Sequence, residues 1–456
     1  LRVEKVRTQA FLGPALHAPA PDRFEYFDQS LMVVDVDGGI QRVISADQPD
    51  FDDTIRTHDR AERLRRLAPG QLFLPGFVDL HVHAPQWPQL GTALDVPLEV
   101  WLQRHTFPLE AKYADLDFAQ TQYTDLVATL LANGTTTALY YATIHLSATK
   151  LLADICLTAG QRALIGRVAM DDPDQCPDFY RDVSASQAVL ETRAFVHYVR
   201  AMIGNEAGRI LPVITPRFIP ACTDDLLRDL GALAQELDCH IQTHCSESDW
   251  EHAFVHTRCG VSDTRALDQF GLLSRKTILA HGNFLSDGDL EHIRGCGAGV
   301  AHCPLSNIYF SDAIFPLRKA LAMDVHVGLG TDISGGPSPS ILDNARQAIH
   351  SSRLLESGVD PARPRAGRCT SGTRINHIQA FWLATAGGGI ALDLPIGQFA
   401  PGFQFDAVVL EGADAQGNLF LAEQDQPGDI LQKIIYGAGR SNIYETWVGG
   451  HLVHSA

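Results

Sequence analysis

LPGFVDLHVHAPQW, residues 74–87, is an apolar run broken by two histidines one residue apart, His81 and His83. In an extended strand, residues i and i+2 point to the same face, so both imidazoles leave the strand on one side. Packing alone would prefer Val, Ile or Leu there, and a polar pair at the end of such a strand is a mark of chemistry. The fold then turns on whether more strands of this kind follow.

They do. Between residue 75 and about 390 one coarse unit recurs, a short apolar strand ending in polar or Gly residues and then a stretch of helical periodicity. The spacing predicts strands at 77–84, 135–143, 162–170, 210–218, 240–247, 277–284, 297–307 and 325–332. The intervening segments carry helix patterns, as in DLLRDLGALAQELD (225–238), where Leu226, Leu227, Leu230, Leu233 and Leu237 can share one face. Alternating strands and helices imply a parallel sheet, and eight units over this length imply a closed (β/α)8 barrel spanning 75–393. A doubly wound sheet would want a Gly-rich phosphate turn after its first strand, and no G-x-G-x-x-G follows one.

The flanks read differently. Residues 1–74 hold FEYFDQSLMVVDVDGGIQRVIS, alternating runs split by Asp37-Gly38-Gly39, which is a hairpin signal. From 394 to 456 the pattern returns in FDAVVLEG and ETWVGGHLVHS. The expectation is a small β-sandwich domain assembled from both termini around one barrel.

Composition narrows the functions available. The chain has 456 residues, 45% of them hydrophobic, enough for a sizeable core. With 36 basic against 54 acidic residues the net charge is −18, which disfavours nucleic acid and anionic membranes as partners. The longest stretch without a charged side chain, Leu126–Thr149, contains Asn133-Gly134-Thr135-Thr136-Thr137 and reads as helix, turn and strand, not as a membrane span. LRVEKVRTQA at the start has no continuous apolar segment, so no secretory leader is expected, and the absence of Met there fits a few trimmed residues. Nine cysteines without a C-x-x-C pair fit a reducing, cytoplasmic setting, with Cys245 and Cys303 read as small buried hydrophobes.

Active groups of a (β/α)8 barrel project from the C-terminal ends of its strands. His81 and His83 end the first predicted strand, His244 falls near the end of the fifth, His281 of the sixth and Asp332 of the eighth. Any one of these histidines would pass as a hydrogen-bonded core residue. Their joint placement would not. Three imidazoles and a carboxylate make a donor set suited to Zn2+ or Fe2+ with a position left for water. His302 ends the seventh strand and reads as a supporting or packing residue, and His105, His145 and His326 as structural.

Taken together, P-G-F-V-D-L-H-V-H, T-H-C-S-E, A-H-G, A-H-C-P-x-S-N and G-L-G-T-D resemble the amidohydrolase superfamily, in particular its mononuclear-metal deaminases. Within it, HAPQW (83–87), the run from Trp101 to Glu110, PRF (216–218) and GTDISGG (331–336) are similar to the guanine deaminase family. The resemblance implies one Zn2+ per chain, with Fe2+ as an alternative, held by His81, His83, His244 and Asp332. It further implies Glu247 as proton shuttle, His281 as the residue that steers the attacking water, and Gln86, Arg217 and Phe218, beside His244, as substrate contacts. The fourth strand ends Thr215-Pro216-Arg217, without the lysine whose carbamate bridges two metals in other branches, so one metal is expected.

The implied reaction is hydrolytic deamination of guanine to xanthine and ammonia. Asp332 takes the water's proton, and Glu247 donates to the ring nitrogen and then to the leaving amine. Other aminopurines, pterins and triazines are alternative substrates, and a non-catalytic barrel scaffold is a third reading. An arginine aimed at a carbonyl oxygen favours guanine over adenine. Without the resemblance, Arg217 would read as a surface ion pair, Phe218 as a core contact and Glu247 as a helix cap. The family also implies a purine-catabolic role and a homodimer.

Overall fold

The computed structural model describes residues 8–412 and 417–456. The opening seven residues, read above for a leader, lie outside the described residues. Strands β1 (Gln9–Ala20), β2 (Arg23–Val34), β3 (Ile40–Ser45), β4 (Leu64–Arg66) and β5 (Gln71–Pro75) come first. The hairpin expected at Asp37-Gly38-Gly39 joins β2 to β3, with Gly38 at φ +83°, a left-handed conformation that costs glycine nothing.

Eight parallel strands follow: β6 (Phe77–His83), β7 (Thr135–Tyr141), β8 (Arg162–Ala169), β9 (Ile210–Pro216), β10 (His240–Cys245), β11 (Thr277–His281), β12 (Gly299–His302) and β13 (His326–Leu329). They lie in sequential order, each joined to the next by a connection containing helix, as a barrel requires. The first and last members meet beyond the end of β13. There Asp332 N–H donates to His81 O at 2.8 Å and His83 N–H donates to Ile333 O at 2.9 Å. Val78, Leu80, Leu139, Leu164, Val213 and Ile278 fill one apolar cluster with Ala391, Leu392 and Ile396. A fully buried side chain of this kind contributes about 1.5–3 kcal/mol, and the cluster anchors the strands that carry the site.

The chain returns to the first sheet through β14 (Ala407–Glu411), β15 (Ile443–Val448) and β16 (His451–Ser455). The order β16-β15-β14-β5-β1-β2-β3, with β4 beside β1, draws on both ends of the chain, as expected, but makes one mixed sheet where a sandwich was expected. A buried ion pair ties it to the barrel: Arg162, opening β8, donates Nε–H to Asp406 Oδ2 at 2.8 Å.

All eight barrel strands are shorter than their sequence pattern, the last two by the most. The segment expected as strand over 297–307 is strand only to His302, because Pro304 begins a helix, Pro304–Phe310, at the position where proline is best tolerated. The segment expected over 325–332 ends at Leu329, which leaves Asp332 on the loop beyond. All nine cysteines are unpaired, Cys245 and Cys303 among the buried ones. Among the described residues no helix is long and apolar enough to cross a membrane.

Candidate active site

The histidines expected to converge do so. His81 Nε2 lies 3.1 Å from Asp332 Oδ1, His83 Nε2 lies 3.5 Å from the same oxygen, and His83 Nε2 and His244 Nε2 are 3.0 Å apart. His281 and Glu247 complete the cluster, with His281 Nε2 3.6 Å from Glu247 Oε1 and 3.9 Å from Asp332 Oδ2. His302 lies outside it, against the Phe315 ring. His105, His145 and His326 are not in the cluster either.

Backbone conformation aims these groups. His281 has φ +74° and Asp332 φ +49°. A side chain in the left-handed region costs roughly 1–2 kcal/mol, and here it turns each residue out of strand direction at the barrel's mouth. Asp332 is also gripped through its neighbours, since Asp79 on β6 accepts from the N–H and hydroxyl of Thr331.

Hydrogen bonds fix which imidazole nitrogen faces inward. His244 Nδ1 is 2.6 Å from Arg217 O, so Nδ1 carries the proton and Nε2 presents a lone pair. His281 Nδ1 lies 2.9 Å from Asn307 Oδ1, with the same consequence for its Nε2. Burial, and then the neighbouring His81, holds both His83 and His244 well below the usual imidazole range, so they are neutral donors. Burial alone would raise Asp332, but His81, His281 and His83 keep it well below the ordinary carboxylate range.

The arrangement passes the test of a metal site. His81 Nε2 and His281 Nε2 are buried without a hydrogen-bond partner, although an unpaired buried polar atom costs about 1–3 kcal/mol. Separations of 3.0–3.5 Å between donor atoms match what ligands about 2.0–2.1 Å from one ion would show. Three imidazoles and a carboxylate suit a borderline divalent cation such as Zn2+ or Fe2+.

Beside the cluster is a narrow cleft with about 360 Å³ of empty space, the open solvent at its mouth included. It is lined by His83, His244, Glu247 and Asp332 together with Gln86, Arg217 and Phe218. Leu98, Trp101, Leu102 and Phe310 form its apolar wall, with the Trp101 and Phe310 rings 4.9 Å apart. Burial, reinforced by the Asp332 charge, pushes Glu247 up to about 8, so its carboxyl holds a proton at neutral pH. Glu247 is not a helix cap. Ser248 caps the following helix by accepting from Glu251 N–H at 3.2 Å.

Arg217 is not a surface ion pair. It is 2% exposed and pairs with Glu110, itself fully buried, through Nη1–H to Oε2 at 2.7 Å and Nη2–H to Oε1 at 3.1 Å. Glu110, Asn307, Asp79 and the cavity's apolar wall were not singled out from sequence. Asn307 sits inside the A-H-C-P-x-S-N motif and Asp79 inside P-G-F-V-D-L-H-V-H, so motif membership was the available signal for both. Glu110 closes the Trp101–Glu110 run, so motif membership was available for it too, but nothing in the sequence pairs it with Arg217, 107 positions away.

Comparison with known proteins agrees with this geometry. Residues 72–453 match the amidohydrolase family. The chain is 37% identical to the guanine deaminase of Dictyostelium discoideum over 97% of each chain. It is likewise 37% identical to that of Homo sapiens over 86% of this chain and 84% of the other. A crystal structure of guanine deaminase from C. acetobutylicum with guanine bound in its active site superposes with a TM-score of 0.87 at 28% identity, covering 98% of this chain and all of that one. A barrel whose strand ends gather three imidazoles and a carboxylate, closed by a sheet from both termini and matched over most of its length, places this chain in the amidohydrolase family.

Proposed function

We propose that this chain is an enzyme that deaminates guanine hydrolytically, giving xanthine and ammonia. The observation that carries the reading is that Arg217, Gln86 and Phe218 line the same cavity as His83, His244, Glu247 and Asp332, so groups able to read a purine edge and groups able to activate water share one cavity. The similarity to guanine deaminases over most of the chain supports the same substrate.

His81, His83, His244 and Asp332 would hold one metal ion per chain, Zn2+ or Fe2+. A divalent ion in such a site lowers the pKa of a coordinated water toward roughly 7. The remaining steps belong to the protein. Asp332 accepts the water's proton, and His281, its Nδ1–H committed to Asn307, offers the Nε2 lone pair that orients that water. Water attacks the ring carbon bearing the amino group while Glu247 protonates the adjacent ring nitrogen. The amine leaves as ammonia on taking the proton that Asp332 removed from water, and Glu247 recovers a proton from the new hydroxyl as it becomes the carbonyl. Arg217 donates to the purine carbonyl oxygen, and Phe218 packs on the ring. Leu98, Trp101 and Phe310 exclude bulk water.

The same reading carries a role in purine breakdown, a cytoplasmic location, a homodimer, and a division into residues 1–74 with 394–456 as one domain and 75–393 as the other. The experiment is to follow guanine by ultraviolet absorbance with protein of measured metal content, before and after chelation. Conversion to xanthine with release of ammonia, lost on chelation and restored by Zn2+ or Fe2+, is expected. Turnover of a pterin, triazine or other aminopurine but not guanine would move the substrate assignment, and metal-free protein without activity would favour a scaffold.

A further inference from the structure

Glu110 is a fully buried carboxylate whose two oxygens are all committed to the cavity's polar wall. Oε2 accepts from Arg217 Nη1–H at 2.7 Å, while Oε1 accepts from Arg217 Nη2–H at 3.1 Å and from Gln86 Nε2–H at 2.9 Å. The other end of Gln86 is fixed too, because its Oε1 accepts Ser334 N–H at 3.1 Å. Phe107, one helical turn before Glu110, places its ring 5.0 Å from the Arg217 guanidinium carbon. The helical stretch that walls the cavity through Trp101 therefore also grips both polar groups of the substrate side.

Two consequences follow from elementary chemistry. A bidentate carboxylate sets the plane of a guanidinium, so the N–H groups of Arg217 not spent on Glu110 are held in fixed directions within that plane. The pair is also neutral overall. The wall then offers N–H donors without net positive charge, which suits the oxygen of an uncharged carbonyl and not an anion.

We propose that Glu110 is a positioning and specificity-determining residue, clamping Arg217 and Gln86 in one orientation and cancelling the arginine's charge so that the site prefers a neutral oxopurine to an anionic one. This rests on the reading of Arg217 and Gln86 as purine contacts. It implies that the enzyme disfavours its own product when xanthine has lost a ring proton, so that product leaves in mild alkali.

The test compares Glu110→Gln, Arg217→Ala and the double variant, using guanine as substrate and xanthine as inhibitor in mild alkali, with metal content and melting temperature measured for each. Glu110→Gln is expected to raise KM for guanine about ten- to a hundred-fold and to tighten xanthine inhibition several-fold, with metal retained. Movement of the two in opposite directions is what loss of folding quality cannot produce. In the Arg217→Ala background, Glu110→Gln is expected to raise guanine KM by clearly less than in the parent, since only the contact to Gln86 is left for it to alter. An unchanged guanine KM in Glu110→Gln, or weakening of guanine and xanthine alike, would overturn the proposal while Arg217→Ala still raised KM. No effect of Arg217→Ala itself would instead remove the substrate contact on which it rests. Should Glu110→Gln not fold, Glu110→Asp keeps the charge but is one methylene too short to hold both partners. It is expected to raise guanine KM without tightening xanthine, and a wild-type KM there overturns the clamp.

Discussion

The Asp79 carboxylate accepts the backbone N–H of Thr331 at 2.9 Å and its hydroxyl at 2.6 Å, joining the first barrel strand to the loop after the last. It also accepts His81 N–H at 3.2 Å, so one buried group sets both a histidine and the approach to Asp332. Asp79→Ala leaves three buried donors without a partner, at about 1–3 kcal/mol each when unsatisfied. We expect a lowered melting temperature and metal lost during gel filtration, with Asp79→Asn intermediate because it keeps an acceptor oxygen. Full metal retention by Asp79→Ala would show that the closure does not depend on this carboxylate.

Glu247→Gln tests the proton donor. The amide preserves volume and hydrogen-bonding shape but cannot give up a proton to a ring nitrogen. Metal content should match the parent, since the proposed ligands are His81, His83, His244 and Asp332; metal lost in Glu247→Gln would instead place Glu247 among the ligands, as its position beside His281 and Asp332 also allows. Turnover should fall by about 10²–10⁴, the usual worth of general acid–base help. Undiminished kcat would assign the proton transfer to another group.

Asn307 is predicted to act through His281. Its Oδ1 accepts the Nδ1 proton at 2.9 Å and so holds the Nε2 lone pair toward Glu247 and Asp332. Asn307→Ala should lower kcat about 10- to 100-fold, the usual effect of removing an orienting partner. Guanine KM and metal content should stay near the parent values. Loss of metal in step with activity would mean that Asn307 supports the cluster as a whole.

The barrel was legible because its signals are local. Each strand is a short apolar run, and same-face spacing places His81 with His83 before any tertiary contact is known. Strand ends were less legible. Asp332 lies three residues beyond β13 because the chain turns there into the left-handed region, a choice made by closure against β6 and not by residue propensity. The four proposed metal ligands could be named through motifs, and Glu110 also ends one, but its partner could not be read. Glu110 lies 107 positions from Arg217, and only the barrel's closure brings them together. Its burial reverses the ordinary meaning of a glutamate on a short helical segment.

The pair joining the two sheets gives a prediction that separates stability from chemistry. Arg162 and Asp406 are both nearly buried, and Asp406 takes Arg162 Nε–H at 2.8 Å on Oδ2 and Nη2–H at 3.2 Å on Oδ1. Oδ1 also accepts Gly449 N–H at 2.8 Å, so the carboxylate links β8 to the turn between the last two strands. Asp406→Ala strands a guanidinium away from water, and breaking a buried pair from one side typically costs about 3–5 kcal/mol. We expect a clear fall in denaturant midpoint with unchanged slope, measured by urea unfolding of metal-loaded protein. Because neither residue lines the cavity, activity per folded molecule should stay at the parent value. A loss of kcat in protein that remains folded would show that the sheet built from the two ends of the chain also sets the geometry of the site.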